Sequence, residues 1–167
     1  MIETNRLIIK PLSYDQLIKY IRNDNSLETE LKLNPTLRSI SPELKEALEQ
    51  TILPAVADPD KNYLFSTLWT IILKSENKMV GDLCLVGEPN NVGEIEIGYG
   101  MYESFTGKGF MTEAVGGMIS WAKKQIGVKA MVASTNKDNI ASFTILIRNN
   151  FTKTGESETM FKWRLVL

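Results

Sequence analysis

The sequence predicts an α+β domain, a mixed and mostly antiparallel sheet with helices on both faces. Three observations carry this. Residues 68–86 read as a hairpin of two apolar strands and lead into a third strand at Glu94, so antiparallel strands come first. From Thr106 onward the order changes to loop, helix, strand, helix and final strands. The chain has 167 residues, 43% of them hydrophobic and 23% charged, which suits one domain with a proper core better than two.

In order along the chain, Leu7-Ile8-Ile9-Lys10 is a short strand that Pro11 should stop. Ser13-Tyr14-Asp15-Gln16 has the Ser-x-x-Gln form of a capping box, with Tyr14, Leu17, Ile18 and Ile21 as the helical stripe behind it. Asn23-Asp24-Asn25 ends that helix, and residues 26–40 read as a short helix plus loop. Ser41-Pro42 starts another helix, with Leu44, Ala47, Leu48 and Ile52 at helical spacing until Pro54. Asp58-Pro59-Asp60 makes a turn. Leu68–Lys74 and Met79–Val86 are the hairpin strands around Ser75-Glu76-Asn77-Lys78, and Gly87–Gly93 is a loop. A strand over Lys129–Ser134, a helix from Asn139 and one or more strands between Thr154 and Leu167 complete the chain. Phe161, Trp163, Leu165 and Leu167 alternate as in a half-buried strand.

The stretch Glu94–Ala122 organises the rest. Ile95, Ile97 and Tyr99 alternate with Glu94, Glu96 and Gly98, the period of a strand with one buried face. Val115, Met118, Ile119, Ala122 and Ile126 recur on one helical face. Between them, Thr106-Gly107-Lys108-Gly109-Phe110-Met111-Thr112 opens into the helix, where unpaired backbone N–H groups and the positive helix end favour a phosphate. The loop is neither a P-loop nor a dinucleotide-binding G-x-G-x-x-G, and by spacing alone its glycines could serve only a turn.

Bulk properties exclude several classes. A formal net charge of −1 gives no general affinity for nucleic acid or an anionic membrane. The chain has no histidine, which removes Ser-His-Asp and Cys-His catalysis and His-based metal sites. Its one cysteine, Cys84, lies in the apolar run Leu83–Val86, as a buried inert thiol would, and fits a reducing compartment. Without a signal-like or membrane-spanning apolar run, a cytoplasmic location is the default.

An acidic strand, then TGKGFMTEA, an amphipathic helix, a strand and Asn139-x-x-Ser142 together resemble the GNAT N-acetyltransferases. Within them the chain is similar to the RimJ/RimL-type enzymes, which acetylate protein N-termini, and to relatives acting on small amines. The resemblance runs from Thr4-Asn5-Arg6-Leu7 to the last strand and is loose between Asn23 and Asn62. It implies the GNAT fold, with a splay between central strands where the donor enters. It also implies acetyl-CoA as donor, CoA as product and no metal.

The family's pyrophosphate motif, Gln/Arg-x-x-Gly-x-Gly/Ala, falls on Thr106, Gly109 and Met111, so two of three positions depart from it. The resemblance assigns binding to the backbone amides of Gly107, Lys108, Gly109, Phe110, Met111 and Thr112. Lys108 is either a phosphate partner or a solvated lysine. Backbone groups near Tyr99, Gly100 and Met101 should pair with the pantetheine arm and supply an oxyanion donor. Asn139 caps its helix and, by resemblance, bonds the same arm. The family's tyrosine that often protonates the leaving thiolate is replaced by Leu146; in RimJ/RimL-type enzymes a serine at the Ser142 position lies near the sulfur instead, so the resemblance makes Ser142 the candidate acid or thiolate hydrogen-bond donor. Asn150 stands for the glycine of the family's Lys-x-Gly-Phe ending, and asparagine adopts left-handed backbone readily.

Attack on a thioester needs a neutral amine. An α-amino group of pKa about 8 is partly neutral at pH 7, whereas a lysine-like amine near 10.4 is not. A base is therefore required: Glu96 is the first candidate, and Glu94 and Glu103 follow. The acceptor is an amine-bearing partner, either a protein N-terminus or a small amine such as a polyamine, amino acid or aminoglycoside. A homodimer is a family-level expectation. The alternative function is a non-catalytic CoA-binding module, sensing or structural.

Overall fold

A computed structural model describes all 167 residues, Met1–Leu167. Its centre is one eight-stranded sheet: β1 (Ile2–Glu3), β2 (Leu7–Pro11), β3 (Leu68–Leu73), β4 (Lys78–Leu85), β5 (Glu94–Met101), β6 (Ala130–Asn136), β7 (Thr152–Glu156) and β8 (Met160–Val166). The spatial order is β1-β2-β3-β4-β5-β6-β8-β7. Every neighbouring pair is antiparallel except β5 and β6. That parallel pair is registered only from Glu94↔Ala130 to Glu96↔Val132. Beyond it β5 remains paired to β4 through Met101, while β6 leaves with β8. The two central strands therefore part, and the β6-facing backbone edge of β5 is open from Ile97 onward. This is the expected splay.

Helices cover both faces. On one lie α1 (Tyr14–Arg22), α2 (Ser26–Leu31), α3 (Pro42–Ala47) and α4 (Leu53–Ala57), packed over Leu12, Leu17, Tyr20, Leu27, Leu48, Leu68, Ile72 and Met79. On the other, α5 (Phe110–Ala122) and α6 (Ile140–Arg148) close a larger core that includes Trp69, Ile71, Leu83, Ile95, Ile97, Val115, Met118 and Leu146. No helix is long and apolar enough to cross a membrane.

The Ser13 capping box forms on both sides, and Asn23 closes α1 in a left-handed conformation. Within that helix the stripe shifts: Tyr14 is exposed and Tyr20 is buried in its place. Pro11 does not stop β2, since it pairs with Trp69 as the last residue of the strand, where a missing N–H costs least. Nor does Pro54 end its helix. The turn Leu48–Ile52 widens to a π turn, with Leu53 N–H bonded to the Leu48 carbonyl, and α4 continues to Ala57. Such widening relieves the clash of a proline ring with the carbonyl four residues back. Ile126 lies beyond the end of α5 and is fully exposed, while Val115, Met118, Ile119 and Ala122 are buried as expected. Asn150 has φ 64°, the left-handed role foreseen for it.

The glycine pair in α5 is a packing device. A Cβ on Gly117 would sit 2.9 Å from Thr4 Cγ2 and 3.2 Å from both Ile2 Cγ2 and Ile9 Cδ1. A Cβ on Gly116 would lie 3.3 Å from the Asn149 side-chain oxygen of the α6 C-cap. Both approaches are to the protein's own elements. Gly117→Leu should therefore cost about 1–3 kcal/mol by overpacking, despite leucine's better helix propensity. Urea denaturation of the variant measures this.

Candidate active site

Two cavities meet on β5. The first, about 430 Å³, lies on the α5/α6 side and is lined by Tyr99–Met101, Phe105–Thr112, Asn139, Ser142 and neighbouring α6 residues. The second, about 330 Å³, lies under α1 and α3 and also touches Tyr99, Gly100 and Met101. A molecule in one is thus separated from a molecule in the other only by the splayed end of the strand.

The glycine loop forms the wall of the first cavity. Gly107 and Gly109 have φ 75° and 77°, which set the turn into α5. None of the six consecutive N–H groups from Gly107 to Thr112 donates a hydrogen bond within the chain; the first helical bond of that region is from Glu113 to the Gly109 carbonyl. A Cβ on Gly107 or on Gly100 would meet nothing within 4 Å, so both glycines border open space. Unpaired amides at the start of a thirteen-residue helix, beside open space, suit a pyrophosphate.

The loop is braced from a direction that local spacing did not reveal. Arg6 donates from Nη1 to the Lys108 carbonyl at 3.1 Å and from Nε to Glu113 at 2.6 Å, with its guanidinium 4.7 Å from the Phe110 ring centroid. Thr4 Oγ1 and the Arg6 N–H also bond Glu113, at 2.6 and 2.7 Å. Partial burial opposes ionisation of that carboxyl, but these bonds from Thr4 and Arg6 hold it below its ordinary value. Glu113 and Arg6 were both missed, although the segment containing Arg6 carries part of the resemblance.

The expected cofactor residues gather here. Thr106 lines the cavity, but its hydroxyl is spent on the Glu103 carbonyl at 2.9 Å. Lys108 is exposed, its ammonium 5.4 Å from the Phe105 ring centroid. Phe110 and Met111 are buried, so the Met111 side chain turns inward from the loop. Tyr99 spans the splay: its hydroxyl donates to the Ser142 carbonyl at 2.9 Å. Burial raises the Tyr99 pKa, which keeps it a neutral donor. The Asn139 side-chain oxygen accepts from Ser142 N–H at 3.2 Å, while its amide nitrogen and the Ser142 hydroxyl have no partner within the chain. Leu146 is fully buried and does not line the cavity.

The three glutamates are not gathered with them. Glu94 is paired to Arg164 at 2.8 Å, and the bond from that guanidinium holds it below its usual range. Glu103 is exposed in the turn before the loop. Glu96 is exposed and lines neither cavity, ~13 Å along the strand from Gly100 at about 3.3 Å per residue, although its charge reaches Cys84 at the wall of the second.

The second cavity holds a carboxylate that the sequence did not single out. Asp82 on β4 lies directly across from Gly100 and is 6% exposed. Its Oδ2 accepts from Tyr20 Oη at 2.6 Å and Tyr102 Oη at 2.9 Å, whereas Oδ1 has no partner. Burial pushes the Asp82 carboxyl up to about 6, against the pull of the two tyrosines and of Arg38. A carboxyl raised in the folded state stabilises the fold fully below its unfolded value, and that share is lost as pH rises through about 6. Thermal unfolding of wild type and Asp82→Asn across pH 4–8 should show it: the variant gains relative to wild type as pH rises. Cys84, two residues on, is partly exposed at the same wall, and burial of its sulfur pushes the thiol up to about 11. It is protonated at neutral pH, as an inert thiol should be.

Comparison with known proteins accords with this geometry. Residues 6–152 match the family model described as the acetyltransferase (GNAT) domain, and the chain belongs to that family. Its class is thus that of the GNAT-type acetyltransferases. Among individual proteins, it is 30% identical over 95 residues to the uncharacterized N-acetyltransferase YjdG of Bacillus subtilis (strain 168). That match spans 57% of this chain and 56% of the relative, so the chain aligns with just over half of that protein's length. In fold it is similar to RimL, a ribosomal L7/L12 alpha-N-protein acetyltransferase, in complex with coenzyme A, with TM-score 0.69, 17% identity and coverage of 98% and 96% of the two chains. It is similarly close to a ribosomal-protein-S5-alanine acetyltransferase from Vibrio fischeri, with TM-score 0.68, 18% identity and coverage of 98% and 94%.

Proposed function

We propose that this protein transfers the acetyl group of acetyl-CoA to the primary amine of a peptide N-terminus or small molecule, by direct attack. The observation that carries the reading is the run of six unpaired N–H groups, Gly107–Thr112, beside the cavity where β5 and β6 part. In this reading those amides hold the pyrophosphate. The open β5 edge near Tyr99–Met101 receives the pantetheine arm, and a backbone N–H there stabilises the oxyanion. Asn139 uses its free amide on the arm. The unpartnered Ser142 hydroxyl protonates or hydrogen-bonds the leaving thiolate. Glu96, from its exposed position, could reach the amine only through water. The reaction belongs to a reducing, cytoplasmic setting in which Cys84 stays free.

Thermal unfolding with acetyl-CoA, CoA and ATP tests the reading. At 100 times Kd a ligand stabilises by about 2.7 kcal/mol, roughly 5–10 °C for a domain of this size. Acetyl-CoA and CoA should give this shift and ATP should not; no shift with any of them would sink the assignment. Ser142→Ala should lower kcat about 10–100-fold in a thiol-release assay and leave the CoA shift intact, at the low end of general-acid effects because a thiolate leaves readily. The non-catalytic module instead predicts the CoA shift with no turnover of any amine. Homodimerisation is read by analytical ultracentrifugation.

A further inference from the structure

We propose that the cavity under α1 and α3 receives the acceptor amine, and that Asp82 Oδ1 binds its ammonium and takes its proton. This rests on the acetyl-transfer reading and names the group that the reading requires. Position comes first. Asp82 and Gly100 are cross-strand partners, so their Cα atoms belong to one pair on the face turned away from the glycine loop. Gly100 has no side chain and a Cβ there would meet nothing within 4 Å, so the space beside the carboxylate stays open. Gly98 faces Cys84 in the same way, its absent Cβ 3.4 Å from the sulfur. The donor cavity reaches the same residues, Tyr99–Met101, from the other side. An amine on Asp82 is therefore one strand away from the open edge of β5.

Partnering comes second. Tyr20 and Tyr102 both donate to Oδ2, whereas Oδ1 has no hydrogen-bond partner, although the whole residue is all but removed from solvent; the nearest neutral donor is the hydroxyl of Thr70, its partner on β3, which is itself unpartnered and carries no charge to offset the carboxylate. A buried carboxylate oxygen without a donor is costly unless something arrives to fill it. The nearby cation does not do so. Arg38 is committed to Glu28, to the Tyr20 carbonyl at 3.2 Å and to the face of the Tyr20 ring at 4.6 Å. Glu28 takes most of the Arg38 charge, so Arg38, whose Nε has no partner, favours the Asp82 carboxylate only from a distance and makes no hydrogen bond to it. The remaining groups facing it carry no charge: Thr70, Cys84 and the two tyrosines, whose pKa values burial raises. The missing cation is one ammonium.

The wall also limits the substrate. Asp82 is the sole acidic residue lining this cavity; Leu44, Leu68, Leu83 and Met101 supply apolar surface, and exposed Ser39 and Ser41 lie at its solvent side. This suits one primary ammonium on an uncharged carrier, as at a peptide N-terminus. A polyamine or aminoglycoside would bring further charges with no anion to meet them. In the reaction, R–NH3⁺ passes one proton to Asp82, and the freed lone pair forms the C–N bond to the thioester carbonyl carbon. As the C–S bond breaks, nitrogen loses its second proton and the thiolate gains one through Ser142. The proton on Asp82 returns to water, so acetyl amide, thiol and one H⁺ are the products.

The test compares wild type, Asp82→Asn, Tyr102→Phe and Glu96→Gln. Asparagine keeps the acceptor for both tyrosine hydroxyls, so Asp82→Asn should retain CoA binding and have an equal or higher Tm at pH 8. Its kcat/KM for an alanyl pentapeptide should fall at least 100-fold. In wild type, kcat/KM should rise with pH through an acidic limb near 6, as Asp82 ionises. Tyr102→Phe, which strips one donor from the carboxylate, should move that limb upward, while Glu96→Gln should leave it in place. n-Butylamine should be a better substrate than spermidine per amine. A binding arm is independent of turnover: saturation-transfer NMR with millimolar n-butylammonium should give signal on wild type and none on Asp82→Asn. Turnover of Asp82→Asn within threefold of wild type, loss of the limb in Glu96→Gln instead, or equal butylammonium signals would overturn the proposal. So would a fall in Tm at pH 8 with loss of CoA binding in Asp82→Asn, which would make Asp82 a structural brace. Failure of the acetyl-transfer reading shows separately, as the absence of any CoA shift in wild type.

Discussion

Arg38→Leu is expected to destabilise the protein by about 3–5 kcal/mol, a large share of the roughly 5–15 kcal/mol that holds a domain of this size together. Both Arg38 and Glu28 have side chains 1% exposed, and they are ion-paired to each other. The leucine would leave the Glu28 carboxylate buried among apolar groups with no cation, and breaking a buried pair costs more than the pair contributes. The loss also reaches the second cavity, because Arg38 bonds the Tyr20 carbonyl and covers the Tyr20 ring whose hydroxyl holds Asp82. The double variant Glu28→Leu/Arg38→Leu separates the two effects. It should recover most of the stability, since well-packed apolar residues replace a buried pair at little cost. Urea denaturation of the single and double variants measures the coupling; equal losses in both would show that the pair is not the source.

Gly109→Val is expected to raise the Kd for CoA about 100-fold or more while the protein stays folded. Gly109 has φ 77°, a conformation that a β-branched residue adopts only with strain, and its Cβ would point to within 3.5 Å of Arg6 Nη2. The contact with Arg6 is ordinary, so the effect comes from the backbone: valine would relax the turn away from φ 77°, and the amides of Gly109 and Phe110 would no longer point at one spot. Two charge-assisted hydrogen bonds at about 1.5 kcal/mol each amount to roughly 3 kcal/mol, or about 150-fold in Kd. Calorimetric titration with CoA reads this directly. Gly107→Ala is the milder control: its Cβ meets nothing within 4 Å, and only its φ of 75° opposes the change.

The candidate donor half of the site is legible in the sequence because it is local. A strand, a glycine loop and a helix N-terminus follow one another within Glu94–Ala122, and backbone amides bind phosphate whatever the side chains, so the departures at Thr106 and Met111 did not hide it. Asn139 and Ser142 lie three residues apart on one helix turn, and the cap they form was equally readable. The proposed acceptor half is not. Tyr20, Arg38, Asp82 and Tyr102 come from four separate segments and share no spacing, so nothing in the chain marks them as one group. Asp82 is one polar residue in an otherwise apolar strand, and no motif or spacing marks it.

The elements misplaced by the sequence follow the same rule. Pro54 should end a helix by local sterics, yet a π turn at Leu48–Ile52 carries the chain past it, because Leu48, Ile52 and Leu53 all have core to reach. Ile126 continues the α5 stripe in spacing but lies past the point where the helix stops and no sheet lies beneath it. Periodicity, caps and turn residues are properties of neighbours along the chain, and these alone determined the strands, the helices, the glycine loop and hence the fold class. Which strand faces which, where β5 and β6 part, and which lone carboxylate is sealed from water without a partner were decided only in the tertiary structure. Those depend on contacts between residues tens of positions apart, where burial changes what a charge costs.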